Sequence, residues 1–387
     1  MRRGTGRKLL IGGLVILLLV LVGTAGWMLA MGETGYEQWE PASASGPEEE
    51  TPEPASGKET EGENNPDTEG EAAEESGKEE RKTVALETEE IGPGYGAGET
   101  EEKEEEKEIV LLFGGDVYLS DHVLNAYDKA GGIQGVLDDA IRDEISRADI
   151  FMVNQEFPFT ERGTAAQDKQ FTFRLPMSRL HLMNEMGIDI VTMANNHILD
   201  FGQEGLLDSC TALDSAGIRY VGAGPDLERA RKLETIEVGG KTIGFLGTSR
   251  VYMDGSWAAG AGHPGVFSTY DSRQAVESIR AARELCDYLV VYVHWGVERE
   301  TTPREYQKVM GHEYIDAGAD LVVGSHPHVL QPMEEYQGKT IVYSLGNFVF
   351  GSSIPETALL KVTLDGEEVR TEMLPCTSSA GYTRMVK

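Results

Sequence analysis

Histidine, asparagine and carboxylate side chains stand directly after short apolar runs between residues 109 and 350. Two of the eight histidines, His326 and His328, follow the run ADLVV and are separated by one proline. Neutral imidazoles, carboxylates and amide oxygens are common ligands of divalent metal ions. The other polar residues with this placement are Asp116, Asn154, Glu156, Asn195, Asn196, His197, His294, Ser325 and Asn347.

The runs that precede these residues have the pattern of β-strands alternating with amphipathic helices, from residue 109 onwards. Alternating strands and helices build parallel sheets, and ligands bind at the carboxyl ends of such strands. Two further patterns, at 236–248 and 358–374, predict antiparallel hairpins with a Gly-Gly and an Asp-Gly turn. The sequence therefore predicts an α/β fold, with strands at 108–116, 149–156, 188–196, 218–224, 287–296, 319–328 and 339–350, and helices at 133–148, 177–187, 204–217, 272–286 and 304–317.

The number of strand ends with such residues favours a metal site. A lone histidine after a strand usually fills a core or loop position, but here five strand ends each supply a possible ligand. Oxygen ligands mixed with imidazoles suit Mn, Zn or Fe and do not suit a soft copper site. Structural roles are expected for His181, His263 and His312, with His122 as a weak additional candidate ligand.

The N-terminal segment 1–32 has the features of a membrane anchor. Four basic residues precede an uncharged run, 9–31, which as a helix would span ~35 Å and so cross a hydrocarbon core of about 30 Å. The run is longer than the apolar part of a cleaved signal peptide, and no A-x-A site follows it. We expect an uncleaved single-pass anchor in the cell membrane, with the N-terminus in the cytoplasm and the main domain outside.

The segment 33–108 has the composition of a disordered linker. It carries 27 acidic and six basic residues, is rich in Glu, Gly, Ser, Pro and Thr, and is poor in apolar residues. Such a segment cannot bury enough surface to offset the entropy of ordering. The remaining residues, 109–387, are numerous enough to form one domain with a large core.

Charge and motif content exclude several functional classes. The formal net charge of −32 argues against a nucleic-acid partner, since phosphate binding needs lysine and arginine. The chain has no G-x-x-x-x-G-K-[ST] loop, and Ser325 lacks the G-x-S-x-G context of a serine hydrolase. Cys210, Cys286 and Cys376 have no metal-type spacing and suggest no disulfide framework. Cys210 and Cys286 lie in amphipathic helical patterns and are expected to be buried apolar side chains, and the role of Cys376 stays open.

Six motifs occur in order between about residues 109 and 350. They are GGDV, NQEFP, ANNHILDFG, VHWGVE, GADLVVGSHPHVLQP and YSLGNFVF. This series resembles the CapA (PgsA) family of capsule and poly-γ-glutamate biosynthesis proteins, which is similar to the calcineurin-like metallophosphoesterases. The resemblance implies a four-layer α/β/β/α sandwich, a centre for one or two divalent ions, and an exported domain behind an N-terminal anchor.

The resemblance also implies a role for individual residues. His197 would be the catalytic residue that faces the substrate. Glu156 would stand where the phosphoesterases have a bridging carboxylate. The implied metal ligands are Asp116, Glu156, Asn196, His294, His326 and His328.

Residue chemistry supplies further expectations for the same site. Two divalent ions would acidify a water molecule and polarise the substrate. His197 would then give a proton to the leaving group or stabilise developing charge. Asn195, Asp200 and Glu298 would orient the ligands, and Asn347 could hydrogen-bond the substrate.

Three functions remain open at this stage. The first is a membrane-anchored, extracytoplasmic component of capsule or poly-γ-glutamate biosynthesis or export, acting in a membrane complex of polymer-synthesis proteins on an anionic polymer or cell-wall substrate. The second is a stand-alone metal-dependent hydrolase of phosphoesters or cell-wall polymers. The third is a non-catalytic binding module with a structural metal site. The sequence leaves open whether the protein is an enzyme.

Overall fold

A computed structural model describes residues 108–386, and the predicted anchor and the linker up to residue 107 lie outside the described residues. Within 108–386, no helix has both the length and the apolar character needed to cross a membrane. The strands are β1 Ile109–Val117, β2 Ile150–Gln155, β3 Ile190–Thr192, β4 Arg219–Val221, β5 Ala223–Gly224, β6 Glu234–Val238, β7 Lys241–Ser249, β8 Gly265–Val266, β9 Tyr288–His294, β10 Leu321–Ser325, β11 Leu330–Tyr336, β12 Lys339–Leu345, β13 Asn347–Val349, β14 Ser353–Asp365, β15 Glu368–Ser379 and β16 Tyr382–Met385. The α-helices are α1 Asp121–Ala130, α2 Asp139–Arg147, α3 His181–Glu185, α4 Gly202–Ala216, α5 Leu227–Ala230, α6 Arg273–Arg283 and α7 Glu305–Asp316.

Two mixed sheets carry most of the strands. Sheet I has the order β16-β15-β14-β1-β2-β3-β4, with β13 also paired to β1. Strands β1 to β4 are parallel to one another. On the other side of β1, strand β14 is antiparallel to β1 and forms an antiparallel hairpin with β15. Sheet II has the order β11-β12-β10-β9-β7-β6, with β12, β10, β9 and β7 parallel. The α/β class predicted from the alternating pattern is confirmed.

The two sheets pack face to face, and helices cover both outer faces. The core between the sheets contains Phe113 and Met152 from sheet I and Tyr292 and Val323 from sheet II, all fully buried. A second core lies between sheet I and helices α1 to α4, and a third lies between sheet II and helices α6 and α7. Burying both faces of each parallel region explains why its strands read as continuous apolar runs.

A bulge in β1 turns its last residues relative to the first. Before the bulge, Phe113 faces the core between the sheets and Leu112 faces the outer core. The register with β2 shifts between Phe113 and Asp116, and after the shift Val117 is the residue in the outer core. One extra residue reverses the alternation of a strand, so Asp116 is directed toward sheet II.

Glycine is required where β1 passes the start of β13. A Cβ on Gly115 would lie 1.9 Å from the carbonyl oxygen of Gly346, which is too close for any other residue. That carbonyl accepts a 2.9 Å hydrogen bond from the backbone N–H of Asp116, and Asp116 is paired with Asn347. The close approach therefore fixes the backbone of Asp116.

Some predicted elements differ from the structure at their ends. The helix predicted at 133–148 begins only at Asp139, because Asp138 caps it by accepting a 2.9 Å hydrogen bond from the Ile141 N–H. The strand predicted at 339–350 breaks at Gly346, whose φ of +65° suits glycine. Helices α1 and α5 and strands β8, β11 and β16 were not predicted. The hairpin at 236–248 is confirmed, with Gly239 and Gly240 forming its turn.

Candidate metal centre

Strand ends from both sheets meet at one edge of the molecule. Asp116 is the second-last residue of β1, Glu156 follows β2, and His294 ends β9. His326 and His328 follow β10, which pairs in parallel with β9 so that Ser325 stands beside His294. The polar residues that the sequence predicted at separate strand ends are therefore brought together.

Two overlapping groups of side chains have the arrangement of metal ligands. Glu156, His294 and His326 form one group, and Asp116, Glu156 and His328 form the other, with the ligand atoms of each group within 4.8 Å of one another. Glu156 belongs to both groups. Its Oε1 lies 3.6 Å from Nε2 of His294, and its Oε2 lies 3.9 Å from Nδ1 of His328.

Three buried polar atoms at this site have no hydrogen-bond partner. They are the two carboxylate oxygens of Glu156 and Nδ1 of His326. Glu156 is completely buried and His326 is 5% exposed. Buried polar groups are almost always paired, so three unpaired polar atoms on two members of one ligand group fit a bound cation. The residues present therefore suit one or two divalent ions.

Burial and mutual charge shift the protonation of the site. Burial, followed by the charge of Asp116, raises the pKa of Glu156 well above its usual range. Burial, followed by the charge of His328, lowers the pKa of His326 to about 3, and burial lowers that of His294 well below its usual value. Burial acts in the same sense on His328, but the charges of Glu156 and Asp116 outweigh it and raise the pKa to about 10.

Amide and hydroxyl groups hold the ligands in place. Asn154 donates through Nδ2 to Oδ1 of Asp116 at 2.8 Å and accepts at Oδ1 from Nδ2 of Asn195 at 2.9 Å. Nδ1 of His294 lies 2.9 Å from the hydroxyl of Ser325, and its Nε2 lies 2.9 Å from Oδ1 of Asn196. Such contacts fix the ring orientation of a metal-binding histidine.

Asn195 organises the turn that presents Asn196 and His197. Its Oδ1 accepts 3.0 Å hydrogen bonds from the backbone N–H groups of His197 and Ile198. Its Nδ2 also donates to the carbonyl of Gln155 at 2.8 Å, so the turn after β3 is fastened to the end of β2. The predicted strand 188–196 is therefore only three residues long, because this turn begins soon after Thr192.

The backbone of the HPH segment adopts a conformation that favours glycine. His326 has a φ of +96° and His328 a φ of +58°. Non-glycine residues rarely adopt such angles, and they persist where the surrounding structure holds them, often at functional sites. The backbone N–H of His326 donates to Oδ2 of Asp116 at 3.3 Å, and Nδ1 of His328 lies 2.8 Å from Oδ1 of Asn347.

His197 is packed beside the metal-ligand groups. Its Nδ1 lies 2.7 Å from Oδ2 of Asp200, and Phe173 stacks on its ring with the centroids 4.1 Å apart. Tyr118 stacks on the other face of Phe173, also at 4.1 Å. Burial lowers the pKa of His197. Asp200 therefore orients His197, which is not among the metal-ligand groups.

Sequence reasoning missed Lys169, which contacts three parts of this turn. Its ammonium group lies against the carbonyl of Asn196, Nδ1 of His197 and Oδ1 of Asp200. Lys169 lies in the long loop 157–176, where no motif marks it. A lone lysine in a polar loop gives no signal in a single sequence.

Glu298 lies at the surface of the protein. Its side chain is exposed beyond β9, and within residues 108–386 it forms no hydrogen bond with a predicted metal ligand. Its negative charge contributes to the raised pKa of Glu156. The expectation that Glu298 orients the metal ligands stays a prediction.

Comparison with known proteins places the chain in a family. The family described as "Bacterial capsule synthesis protein PGA_cap" matches residues 110–352, which include every residue of the candidate centre. The chain belongs to this family. The resemblance seen in the order of the six motifs is thereby confirmed.

Relatives within the PGA_cap family come from several bacteria. The chain is 37% identical to "PGA biosynthesis protein CapA" of Bacillus subtilis (strain 168) over 199 residues, covering 51% of this chain and 52% of the relative. It is 28% identical to "Capsule biosynthesis protein CapA" of Bacillus anthracis over 252 residues, covering 64% and 61%. It is 33% identical to a "Probable polyglutamine synthesis accessory protein" of Mycobacterium tuberculosis (strain CDC 1551 / Oshkosh), covering 53% and 57%. The chain thus spans about half to three-fifths of the length of these relatives.

Solved structures show only weak similarity to this member of the PGA_cap family. NAD nucleotidase of Haemophilus influenzae has a TM-score of 0.40 and 12% identity, covering 70% of this chain and 56% of the other. A 5'-nucleotidase from Candida albicans has a TM-score of 0.39 and 11% identity, covering 69% and 51%. Matches at this level carry no conclusion about activity.

Proposed function

We propose that this PGA_cap protein is an extracytoplasmic, membrane-anchored component of the biosynthesis or export of an anionic capsule polymer such as poly-γ-glutamate, with a divalent-metal centre of metallophosphoesterase type. Membership of the PGA_cap family supports the link to capsule. The basic, then apolar, N-terminal segment supports the anchor. The proposal includes action within a membrane complex of polymer-synthesis proteins.

One observation gives the main support for a metal centre. Glu156 belongs to both ligand groups, and neither of its buried carboxylate oxygens has a hydrogen-bond donor. An unpaired buried carboxylate is costly, whereas a cation shared between two ligand groups would satisfy it. A shared carboxylate between two groups of imidazole and oxygen ligands suits two ions of Mn, Zn or Fe.

The remaining residues suit hydrolysis or group transfer at an oxygen-rich bond. A divalent ion at this site would supply Lewis-acid charge to a substrate oxygen and lower the pKa of water. The centre lies at the edge where the strands end, and His197 is held beside it by Asp200. His197 is therefore placed to hold or deliver a proton at the reacting bond. Asn347, paired with His328, is placed to hydrogen-bond the substrate.

Metal analysis of the full chain tests the centre. We expect bound divalent metal in the wild type and a clear loss in both His294→Ala and His326→Ala. His312→Ala is the matched control, because His312 stacks on Tyr336 on the outer face of sheet II. Equal metal content in all four proteins would overturn the metal centre.

Deletion of the gene tests the role in capsule. We expect loss or shortening of surface anionic polymer, restored by the wild-type chain and not by His326→Ala. Unchanged polymer in the deletion strain would reject the capsule function. Turnover of bis(p-nitrophenyl) phosphate by the purified chain, without any polymer phenotype, would favour the stand-alone hydrolase instead.

A further inference from the structure

The loop 157–176 is a closed structure that reaches the candidate centre. Its two ends are joined by hydrogen bonds from the Thr160 N–H to the Leu175 carbonyl at 2.9 Å and from the Leu175 N–H to the Pro158 carbonyl at 3.0 Å. Compact loops with joined ends are often functional. Lys169 and Phe173 lie in this loop, and both contact His197.

Asp200 fastens this loop at three points. Its backbone carbonyl accepts a 2.8 Å hydrogen bond from the Ala166 N–H. Its Oδ2 accepts a 2.6 Å hydrogen bond from the Phe173 N–H, and its Oδ1 accepts from the ammonium group of Lys169. Because Asp200 is completely buried, Lys169 supplies the positive charge that balances it inside the protein.

The ammonium group of Lys169 is directed at the protein. It donates to the Asn196 carbonyl and to Oδ1 of Asp200, and it lies 3.0 Å from Nδ1 of His197, which also faces Oδ2 of Asp200. Its side chain is only 15% exposed. The lysine therefore acts on the protein itself.

The contacts around His197 leave one ring nitrogen available. Asp200 and Lys169 both meet Nδ1, and Phe173 covers a face of the ring. Within residues 108–386, Nε2 of His197 forms no hydrogen bond. We propose that Lys169 is a positioning residue, which holds the His197 ring so that Nε2 is the nitrogen that meets the substrate. The reason for positioning His197 in this way rests on the proposed function, but the test of the positioning does not depend on that function.

The direct test is the ¹⁵N spectrum of the histidine rings in the full chain, dialysed against zinc. The His197 signals are assigned by their absence in His197→Gln. In Lys169→Ala we expect the His197 ring signals to shift by several ppm, while those of His294 and His326 stay in place. The matched control is Lys361→Ala, since Lys361 is half-buried and pairs with Glu144 far from the centre. Unchanged His197 signals in Lys169→Ala, or an equal shift in Lys361→Ala, would overturn the inference.

A second readout separates positioning from simple loss of structure. Added ethylamine should move the His197 signals of Lys169→Ala back toward those of the wild type, and it should leave the control unchanged. If Lys169→Ala does not fold, Lys169→Gln replaces it, because the amide keeps a donor in the loop without the charge. Failure of ethylamine to restore any part of the signal counts against a role for the ammonium group.

Activity and metal content show which proposal has failed. Metal content should be the same in Lys169→Ala and wild type, since the lysine is not in either ligand group. With bis(p-nitrophenyl) phosphate as probe, we expect kcat to fall at least tenfold while KM changes by less than twofold. Absence of metal and of turnover in the wild type would reject the proposed chemistry, and the ring spectrum would still decide the role of Lys169.

Discussion

The Oε1 atom of Glu156 lies 3.6 Å from Nε2 of His294, and both carboxylate oxygens of Glu156 are buried without a hydrogen-bond donor. Glu156 follows β2 of sheet I and His294 ends β9 of sheet II. The pair therefore joins the two sheets at their edge. A carboxylate in this position lowers the stability of the fold unless a cation balances it.

Replacing Glu156 should separate the loss of folding stability caused by its buried carboxylate from its role in metal binding. Burial raises the pKa of Glu156, so the folded state favours the protonated form and the wild type loses stability as the pH rises above about 4.5. In the presence of a chelator, we expect the free energy of unfolding of Glu156→Gln, relative to that of the wild type, to increase from pH 5 to pH 8. Urea unfolding at several pH values measures this difference. A constant difference across that range would contradict the raised pKa of Glu156.

Divalent metal should stabilise the folded chain through the centre. A ligand that binds only the folded state at 100 times its Kd adds about 2.7 kcal/mol. We expect zinc or manganese to raise Tm in the wild type and in His312→Ala, and to have little effect in Glu156→Gln or His326→Ala. Chelator should reverse the rise. Differential scanning calorimetry with and without metal gives the comparison, and an equal rise in all variants would mean that the ion binds elsewhere.

Tyr292 should stabilise the bulge that aims Asp116. Its hydroxyl donates a 2.8 Å hydrogen bond to the carbonyl of Gly114 in the core between the sheets. Tyr292→Phe leaves that carbonyl buried without a donor, which costs about 1–3 kcal/mol. The control Tyr336→Phe removes an exposed 3.3 Å contact with Asp316 and should change the stability by less than about 0.5 kcal/mol. Urea unfolding of both variants tests this, and equal losses would contradict the role of Tyr292.

Gly115 should tolerate no side chain. In Gly115→Ala the Cβ would lie 1.9 Å from the Gly346 carbonyl, so β1 and β13 must separate and Asp116 must move. We expect poor folding or, in folded protein, loss of bound metal. Gly131→Ala is the control: its Cβ meets nothing within 4 Å, and its φ of +70° should cost only about 1 kcal/mol. Metal content and Tm distinguish the two variants. Wild-type metal content and Tm in Gly115→Ala would contradict the close approach of Gly115 to Gly346.

Two of the three cysteines, Cys210 and Cys376, should react slowly in the folded chain. All three are free, and Cys210 and Cys376 are buried. Burial raises the pKa of Cys210 to about 11 and that of Cys376 to about 12, so at pH 8 both remain thiols and lack the nucleophilic thiolate. We expect labelling by iodoacetamide to be slow at pH 8 and fast in urea, as measured by mass spectrometry. Rapid labelling of Cys210 without urea would contradict its burial.

Much of the site could be predicted from the sequence because parallel strands have a simple rule. Their carboxyl ends meet at one edge, so polar residues after apolar runs can be assigned to a common place. Asp116, Glu156, His294, His326 and His328 were found in this way and lie together. The α/β class and the glycine turn of the 236–248 hairpin followed from equally local signals.

The rest depended on contacts between residues far apart in the chain. Lys169 meets His197 only because Asp200 fastens the loop 157–176 across the turn after β3. The limits of the helix that begins at Asp139 depended on a cap that a periodic pattern does not reveal.

The sequence by itself determined which residues end the strands and which class of chemistry they can perform, since residue type and apolar patterning are local properties. The tertiary structure decided which way those residues face. The bulge in β1 reverses the alternation between Phe113 and Asp116, and so directs a carboxylate toward sheet II that regular alternation would direct toward the helices. The close approach of Gly115 to Gly346, a contact between strands more than 200 residues apart, holds that direction.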